Sequence, residues 1–355
     1  MVQWLDRRIL DLLRITHPII QAPMAGSSTV AMAVAVGEAG GLGSLPCAQL
    51  TLEQANAWIE EARAGTRGPI NLNFFCHTPP APDAERMAAW HRRLRAYYLE
   101  LNLDPDAPPP SAGRTPFDDS FCALVEQHRP EVVSFHFGLP EPSLLARVKA
   151  TGAKVLSSAT TVAEAVWLEQ HGVDAVIAMG AEAGGHRGSF LTADMAAQPG
   201  TFALTPQVVD AVRVPVIAAG GIADARGIAA ALALGAAAVQ IGTAYLFCPE
   251  AKISDIYRRA LEEAGDDDTQ ITNVFTGRPA RGLINRLMRE AGPLSDLVPA
   301  FPTAGGPLVP IRAGAEAEGR ADFTNLWAGQ AARLAPRLPA GELTRMLAEG
   351  ALARL

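Results

Sequence analysis

The chain has 355 residues, a formal net charge of −7 and a sequence pI near 5.6. Its length allows one large α/β domain with an appendage, or two ordinary domains, and its acidic balance argues against a large nucleic-acid-binding face, which is normally basic. No uncharged apolar stretch reaches the roughly 20 residues of a membrane span, and the charged N-terminus lacks a signal-peptide cleavage pattern. We therefore expect a soluble cytoplasmic protein with no nucleic-acid or membrane partner.

Short apolar segments of strand character alternate with helical segments over the first two thirds of the chain. Eight strands are predicted, centred near residues 19, 43, 71, 134, 155, 177, 217 and 240. Helices are predicted between and after them, over residues 28–38, 51–64, 120–128, 142–151, 162–171, 205–212 and 224–234. This alternation predicts a (β/α)8 TIM barrel, because parallel strands require crossover helices. A doubly wound open sheet is the alternative.

Residues 77–117 interrupt the alternation after the third strand. They combine a proline-rich approach, a polar helix near 84–101 and the run DPDAPPPSAGRTP. This composition is typical of a surface insertion and not of a barrel unit. We therefore predict a helical and Pro-rich insertion here.

The strand signal also stops beyond about residue 250. The Pro/Gly-rich run PAFPTAGGPLVPIRAG then alternates with helices predicted over 253–264, 282–290, 325–334 and 341–351. We predict a barrel over residues 1–250 and a helical extension over 251–355 that packs over one rim of the barrel.

The cysteines are scattered and form no CxxC pair: Cys47, Cys76, Cys122 and Cys248. Such spacing predicts neither a zinc site nor a disulfide framework, so we expect reduced and mostly buried thiols. No pair of histidines has metal-ligand spacing, and no metal is predicted.

Two glycine-bearing segments, AAGGI (218–222) and QIGT (240–243), fall at the ends of the last two predicted strands. The first presents backbone N–H groups before a helix that begins at Asp224, and the second adds Gly242 and the hydroxyl group of Thr243. Barrels commonly bind a phosphate in these two loops, so we prefer phosphate binding to glycines that only permit tight turns. The chain has no GxGxxG motif after its first strand and no Walker motif, so the predicted ligand is FMN or a phosphorylated substrate.

Polar residues at other strand ends are further candidates. Asn73 is either a flavin contact or a satisfied core amide, and the QAPM backbone (21–24) is placed to lie against a flavin ring. His136, between two phenylalanines, fits a packed core residue slightly better than a catalytic one. His186 lies in a loop of glycines, where Arg187 beside it is placed to bind an anion or to lower its proton affinity.

The segments IIQAPMAG, GGLG, NLNFF, SFHFGLP, GAEAGGHRGSF, PVIAAGGIADARG and QIGTAYL, in this order, resemble those of the nitronate monooxygenase family, formerly called 2-nitropropane dioxygenases. The likeness is to the bacterial class I branch, continues through TGRPARGLINR and LWAGQAARL, and is most specific in EAGGHRGSF. It implies an FMN-dependent barrel that oxidises alkyl nitronates with O2 to a carbonyl compound and nitrite. Propionate 3-nitronate is the characteristic substrate, and no reduced nicotinamide is needed.

The resemblance also implies roles for individual residues. His186 is the active-site histidine, with His136 as a second pocket residue. The implied FMN contacts are Ala22, Pro23, Met24, Asn73, Met179, Gly184, Gly185, Gly220, Gly221, Gln240, Ile241, Gly242 and Thr243. Met179 is a departure, since many relatives have glutamine there, and it removes one polar contact that would tune the flavin. Because a nitronate is already an anion, His186 and Arg187 are expected to bind its oxygens, and His186 acts as a base only if neutral nitroalkanes are used.

Three other functions fit parts of the pattern. The same glycine motifs are similar to those of flavin-dependent enoyl-reductases and of NADH:quinone reductases, which need a reduced nicotinamide. A flavin-free barrel that binds a phosphorylated ligand is the third. Neither the oligomeric state nor the physiological nitronate follows from the residues.

Overall fold

The computed structural model describes residues 4–110 and 114–355, and eight of its strands form one parallel sheet in the order β1-β9-β8-β6-β5-β4-β3-β2. These strands are β1 (Ile19–Gln21), β2 (Gly43–Pro46), β3 (Ile70–Phe75), β4 (Val132–His136), β5 (Lys154–Ala159), β6 (Ala175–Met179), β8 (Val216–Ala219) and β9 (Ala238–Ile241). A parallel bridge between Ile20 and Leu42 joins the two ends of the sheet. The predicted (β/α)8 barrel is thereby confirmed, and the open sheet is excluded.

The remaining strands form a small antiparallel sheet in the order β10-β11-β7. They are β7 (Gly185–His186), β10 (Thr269–Thr272) and β11 (Ala280–Leu283). In this sheet Ala280 is paired with His186. The sheet therefore connects a loop at the carboxyl end of the barrel to a segment far along the chain.

Fourteen helices are found in the described residues. They are α1 (Arg8–Leu13), α2 (Val30–Glu38), α3 (Leu52–Gly65), α4 (Ala84–Glu100), α5 (Asp119–His128), α6 (Pro142–Ala150), α7 (Val162–Gln170), α8 (Thr201–Ala211), α9 (Ala225–Ala233), α10 (Thr243–Leu246), α11 (Asp255–Glu263), α12 (Arg286–Ala291), α13 (Leu308–Ala317) and α14 (Ala340–Leu352). None of these has the length and apolar character that would let it cross a lipid bilayer.

Local capping sequences explain several helix starts. Thr51 and Gln54 form a reciprocal capping box at the start of α3, with hydrogen bonds of 3.2 and 3.0 Å. Helix α8 begins at Thr201, four residues before the predicted start at 205. Its first N–H group is bound by the carboxylate of Glu182, at 2.8 Å, from the preceding loop. Because Glu182 lies 19 residues before Thr201, the residues next to the helix start do not indicate this N-terminal capping interaction.

The predicted insertion is not only a surface excursion. Trp90, Leu94 and Tyr98 of α4 are 2% exposed or less and belong to one hydrophobic cluster with residues of α12 and α13. Trp90 Nε1 donates a hydrogen bond to the carbonyl oxygen of Ala304 at 3.2 Å. Helix α4 is polar on average, but its apolar residues recur at helical spacing. They therefore form one face of the helix, and that face is buried. We call residues 77–110, 114–117 and 269–327, which pack together, the cap.

The region after residue 250 contains strands as well as helices, contrary to the prediction. The helix predicted over 282–290 is reduced to α12 because its first residues belong to β11, and the helix predicted over 325–334 is reduced to a 3₁₀ turn at Ala332–Leu334. The Pro/Gly-rich run in turn contains the start of α13. Strand β11 obtains partners from β7 and β10, which no local pattern indicates.

The last helix, α14, packs against α2 and α9 on the outside of the barrel and not over its rim. The segment directly after β9, α10, has only four residues. Helix α14 therefore occupies the place that the eighth barrel helix would take, and residues 251–355 do not all pack in one location. A domain boundary near residue 250 stays a prediction.

Candidate active site

A cavity of about 760 Å³ opens at the carboxyl ends of the barrel strands, beneath the cap. Such a volume lies within the range of small-molecule and cofactor sites. The sequence-predicted residues that line it are Ala22, Pro23, Met24, Asn73, His136, Met179, Gly184, Gly185, His186, Gly220, Gly221, Gln240, Gly242 and Thr243. The structure thus brings together residues from six barrel strands or the loops that follow them.

Among the residues implied as FMN contacts, Ile241 alone does not line the cavity. Its side chain is 1% exposed and packs in the barrel core, because successive side chains of a strand point to opposite faces and Gln240 takes the cavity side. Its backbone carbonyl accepts a hydrogen bond from Ala22 N at 2.8 Å. Ile241 therefore positions the backbone of the first strand end.

Two features of the cavity wall fit a polar, flat cofactor. The amide oxygen Oε1 of Gln240 is buried and has no hydrogen-bond partner among the described residues, which is costly unless a ligand supplies a donor. Gly185 has a φ of +74°, and a Cβ at this position would meet no atom within 4 Å. A side chain here would project into open space, so the glycine leaves the cavity wall free for a ligand.

The loop after β8 adopts a backbone that only glycine accepts readily. Gly220 and Gly221 have φ values of +107° and +68°. A Cβ on Gly220 would lie 2.9 Å from the backbone nitrogen of Ala183. The two glycines therefore let the loops after β6 and β8 approach each other at the cavity wall.

Asn73 and Thr243 each use part of their hydrogen-bonding capacity within the protein. The amide nitrogen of Asn73 donates to the hydroxyl oxygen of Ser134 at 2.9 Å, so its amide oxygen is the group left for the cavity. The hydroxyl oxygen of Thr243 accepts from Gly329 N at 2.9 Å and keeps its proton available to a ligand. Each of these side chains therefore makes a hydrogen bond within the protein and keeps one hydrogen-bonding group available to a ligand.

His186 lies at the boundary between the barrel and the cap. Its Nε2 is 2.9 Å from the hydroxyl oxygen of Thr276 and 3.5 Å from Nη1 of Arg114. Because a guanidinium can only donate, this arrangement favours the tautomer in which Nε2 carries a lone pair. Aromatic rings surround the imidazole, with centroids 5.4 to 6.3 Å away: Phe75, Phe137, Phe301 and Trp327.

Desolvation and positive charge keep His186 neutral. Burial lowers its pKa well below the usual value, and the positive charges of Arg114 and Arg278 lower the pKa further. A neutral imidazole accepts hydrogen bonds and takes up a proton only when an anion enters beside it.

His136 holds the backbone of His186 in place. Its Nε2 lies 3.1 Å from the carbonyl oxygen of His186, and its Nδ1 lies 3.1 Å from the hydroxyl oxygen of Ser158. Since a carbonyl only accepts, Nε2 carries the proton and Nδ1 accepts from the serine. Burial lowers the pKa of His136 to about 4, so the ring stays neutral and keeps this tautomer at neutral pH.

Arg187 has a structural position, in contrast to its predicted role beside a bound anion. Its side chain is fully buried, and its guanidinium donates to the carbonyl oxygens of Met179 and Gly180 and to Oε1 of Gln198, at 2.6 to 3.1 Å. It does not line the cavity. Arg187 follows His186 in the sequence but faces away from the cavity, because successive side chains of an extended segment point in opposite directions.

A hydrogen-bond chain continues from Gln198 and fastens the His186 loop to helix α7. Gln198 donates to the hydroxyl oxygen of Thr160, which donates to the buried carboxylate of Glu164. The other oxygen of Glu164 accepts from the backbone N–H groups of Phe190 and Leu191, at 2.6 and 3.0 Å. These charge-assisted bonds hold both ends of the loop.

Met179 lines the cavity with a side chain that is 8% exposed. Its carbonyl oxygen accepts from Arg187 at 2.8 Å. The polar contact implied for glutamine at this position is therefore replaced by a thioether, which can only be a weak acceptor.

The cap contributes cavity residues that the sequence did not single out. Arg114, Thr276, Phe323 and Trp327 line the cavity together with the strand-end residues. Arg114 follows directly after a proline-rich run, and no local pattern distinguishes it from a solvated arginine. Phe323 and Trp327 stand alone in loops, so only the fold reveals that both line the cavity and that the Trp327 ring lies 5.4 Å from the His186 ring.

The barrel and its one-sided cavity define the class of the protein: a (β/α)8 barrel with a cavity at the carboxyl ends of its strands, where barrel enzymes have their active sites, and with His186 in the cavity wall. Comparisons with known proteins give the family. The family model described as nitronate monooxygenase matches residues 6–350. The chain belongs to the nitronate monooxygenase family and is an oxidoreductase of that flavin-dependent family.

Individual relatives agree with this assignment. The chain is 44% identical to the nitronate monooxygenase of Paraburkholderia phytofirmans over 96% of this chain and 94% of that protein. A structure of nitroalkane oxidase from Streptomyces ansochromogenes has a TM-score of 0.87 and 38% sequence identity, and covers 98% of each chain. The structure of FabK from Thermotoga maritima has a TM-score of 0.72 and 28% identity, and covers 98% of this chain and 96% of that one.

Proposed function

We propose that the protein binds FMN in the strand-end cavity and oxidises alkyl nitronates with O2 to a carbonyl compound and nitrite. Propionate 3-nitronate is the proposed substrate. The observation that carries this proposal is the neutral His186 in a pocket of positive charge, beside Arg114 and Arg278. Such a pocket stabilises a preformed anion, whereas a histidine with a strongly lowered pKa is a weak base for removing a proton from carbon.

The chain offers a complementary set of groups for the cofactor. The unpartnered oxygen of Gln240 and the free amide oxygen of Asn73 accept hydrogen bonds from a flavin, and the glycine loop at Gly220 and Gly221 presents backbone groups to the phosphate. The chemistry that FMN supplies when bound is the acceptance of electrons from the substrate, which no side chain of the cavity provides.

The residues around His186 bind and orient the nitronate. In the neutral state the hydroxyl group of Thr276 donates to His186 Nε2, 2.9 Å away, and the guanidinium of Arg114 supplies positive charge 3.5 Å from the same nitrogen. An anion beside the ring raises the pKa of His186, so the imidazole gains a proton and then donates to a nitronate oxygen. The aromatic rings of Phe301 and Trp327 exclude water and strengthen these interactions.

The proposal is tested with purified, yellow protein and propionate 3-nitronate in air. Oxygen uptake and nitrite formation are measured together, first without and then with added NADH. We expect both signals without a nicotinamide. If the flavin-loaded protein produces neither, the proposed function is wrong.

A flavin-dependent enoyl-reductase or NADH:quinone reductase on the same barrel is the second candidate, favoured by the glycine motifs at 184–188 and 220–221. Such an enzyme must be reduced by a nicotinamide. Anaerobic mixing with NADH distinguishes the two: rapid loss of the oxidised-flavin absorbance near ~450 nm favours a reductase, and a persistent band favours nitronate oxidation.

A further inference from the structure

Arg114 is a cation without a carboxylate partner at the centre of the pocket. Its guanidinium lies 5.3 Å from the centroid of the Phe301 ring, and its closest polar side-chain contact is His186 Nε2 at 3.5 Å. No carboxylate in the part of the chain that the structure describes forms an ion pair with it. Burial lowers the pKa of Arg114 to about 10, which leaves it charged at neutral pH.

Arg114 is half-buried, and a partly desolvated guanidinium without a counter-ion is stabilised when an anion binds beside it. Among the described residues that line the cavity, Glu316 is the only carboxylate, and it accepts a hydrogen bond from the hydroxyl group of Thr324. Arg114, Lys252 and Arg312 line the same cavity and carry positive charge. The missing negative charge must therefore come from a ligand.

One nitronate group does not balance the charge near His186. Arg278 is the second guanidinium that acts on this histidine, and it donates to the backbone carbonyl of Ser189 while stacking 3.8 Å from the centroid of Phe137. It does not line the cavity, so it cannot bind the substrate directly. The buried carboxylate of Glu164 acts on Arg278, whereas no carboxylate of the described residues pairs with Arg114, so a second anionic group of the substrate would compensate the charge of Arg114.

We propose that Arg114 is a specificity residue that binds a second anionic group of the substrate, a carboxylate at the end opposite to the nitronate. This inference rests on the proposed function. The planar guanidinium matches a carboxylate with two parallel hydrogen bonds, a geometry that a lysine at this position does not provide. Because Arg114 and His186 are neighbours, the two anionic groups must be close together, which selects short carboxy-nitronates over uncharged alkyl nitronates.

The test compares two substrates of similar length, propionate 3-nitronate and the uncharged butyl-1-nitronate, in the wild-type protein and in Arg114→Met and Arg114→Lys. Loss of one partner of a buried charge pair typically costs about 2–5 kcal/mol, so Arg114→Met is expected to lower kcat/KM for propionate 3-nitronate by roughly 30-fold or more. The loss for butyl-1-nitronate is expected to be much smaller. Arg114→Lys recovers only part of the preference.

Binding is measured separately from turnover by calorimetry with succinate, in which a carboxylate replaces the nitronate, and with butyrate, which has one charge. We expect the wild-type protein to bind succinate at least about ten-fold more tightly than butyrate, and Arg114→Met to bind both equally. Arg95→Met is the matched control, because Arg95 is an exposed arginine of the cap that pairs with Asp106. It should change neither preference.

Each failure has its own signature. Equal losses for both nitronates in Arg114→Met, in a variant that keeps its flavin spectrum and melting temperature, would overturn the specificity role. A wild-type preference for butyl-1-nitronate would overturn it as well. If the flavin-loaded wild-type protein oxidises neither nitronate, the proposed function fails, while the succinate and butyrate affinities still decide the role of Arg114.

Discussion

The strand ends of the barrel and the cap contribute to the cavity in different ways. The loops after β6, β8 and β9 contribute mostly backbone and glycine, as at Gly185 and Gly220, and present a flat wall. The cap contributes long side chains, including Arg114 and Trp327, which approach from distant parts of the sequence. A backbone wall lets a flat ligand approach closely, whereas the side chains above it can change without altering that wall.

His186 belongs to both regions, and this explains its chemistry. Its backbone is held by the barrel through His136 and by pairing with Ala280 of β11. Its ring meets Thr276, Arg114 and the aromatic residues of the cap. The barrel sets the position of the imidazole and the cap sets its proton affinity. Changes in the two regions should therefore separate cofactor binding from substrate turnover.

The largest expected effect is that of His186→Asn on turnover. Asparagine removes the proton-accepting nitrogen, and loss of such a group typically costs about 10²–10⁴ in rate. FMN should remain bound, because the proposed cofactor contacts are on the strand ends. Nitrite formation and the visible spectrum of the purified variant measure the two effects. Undiminished nitrite formation would remove His186 from the mechanism, and a colourless variant would contradict the separation between cofactor and substrate regions.

An intermediate effect is expected from Trp90→Ala in the cap. Trp90 is fully buried, and truncation of such a side chain costs about 3–5 kcal/mol of stability. A loosened cap should raise KM for the nitronate while the flavin stays bound. Thermal unfolding and steady-state kinetics check this, with Trp58→Ala on α3, a half-buried tryptophan outside the cap, as the control. Equal KM changes in both variants would mean that the cap has no special role in substrate binding.

The smallest expected effect concerns Gln240 at the strand ends. Gln240→Met keeps the length of the side chain and removes the amide oxygen that has no partner in the described residues. One hydrogen bond contributes about 1 kcal/mol, so the dissociation constant for FMN should rise roughly five-fold. Fluorescence titration of the apoprotein with FMN measures the change. Unaltered affinity would show that this oxygen does not face the cofactor.

The barrel and most of its strand-end residues could be predicted from the sequence. Strands such as Ala175–Met179 are short apolar runs that end in glycine loops, and both signals are local. Glycines at positive φ, such as Gly220, mark backbone positions that other residues rarely adopt. Periodicity and glycine placement depend on neighbouring residues alone, so both can be recognised in the amino-acid sequence.

The predictions were wrong where the contacts or the conformation of a residue depend on a distant segment of the chain. Arg187 was expected to face the ligand but is bound to Gln198 and to backbone carbonyls, and α8 begins early because Glu182 caps it. The strand Ala280–Leu283 forms because β7 and β10 pair with it, although a helix was predicted from residue 282 onwards. In these cases the local sequence allowed more than one conformation, and tertiary hydrogen bonds selected one.

The sequence by itself determined the barrel, the glycine loops and the candidate histidines, because each follows from periodicity or from a motif a few residues long. Only the tertiary structure decided that Arg114 and not Arg187 faces His186, that the cap covers the cavity, and that α14 packs between α2 and α9. The physical reason is that burial and charge are properties of a three-dimensional environment. The proton affinity of His186 results from groups as far away in the chain as Arg114 and Arg278.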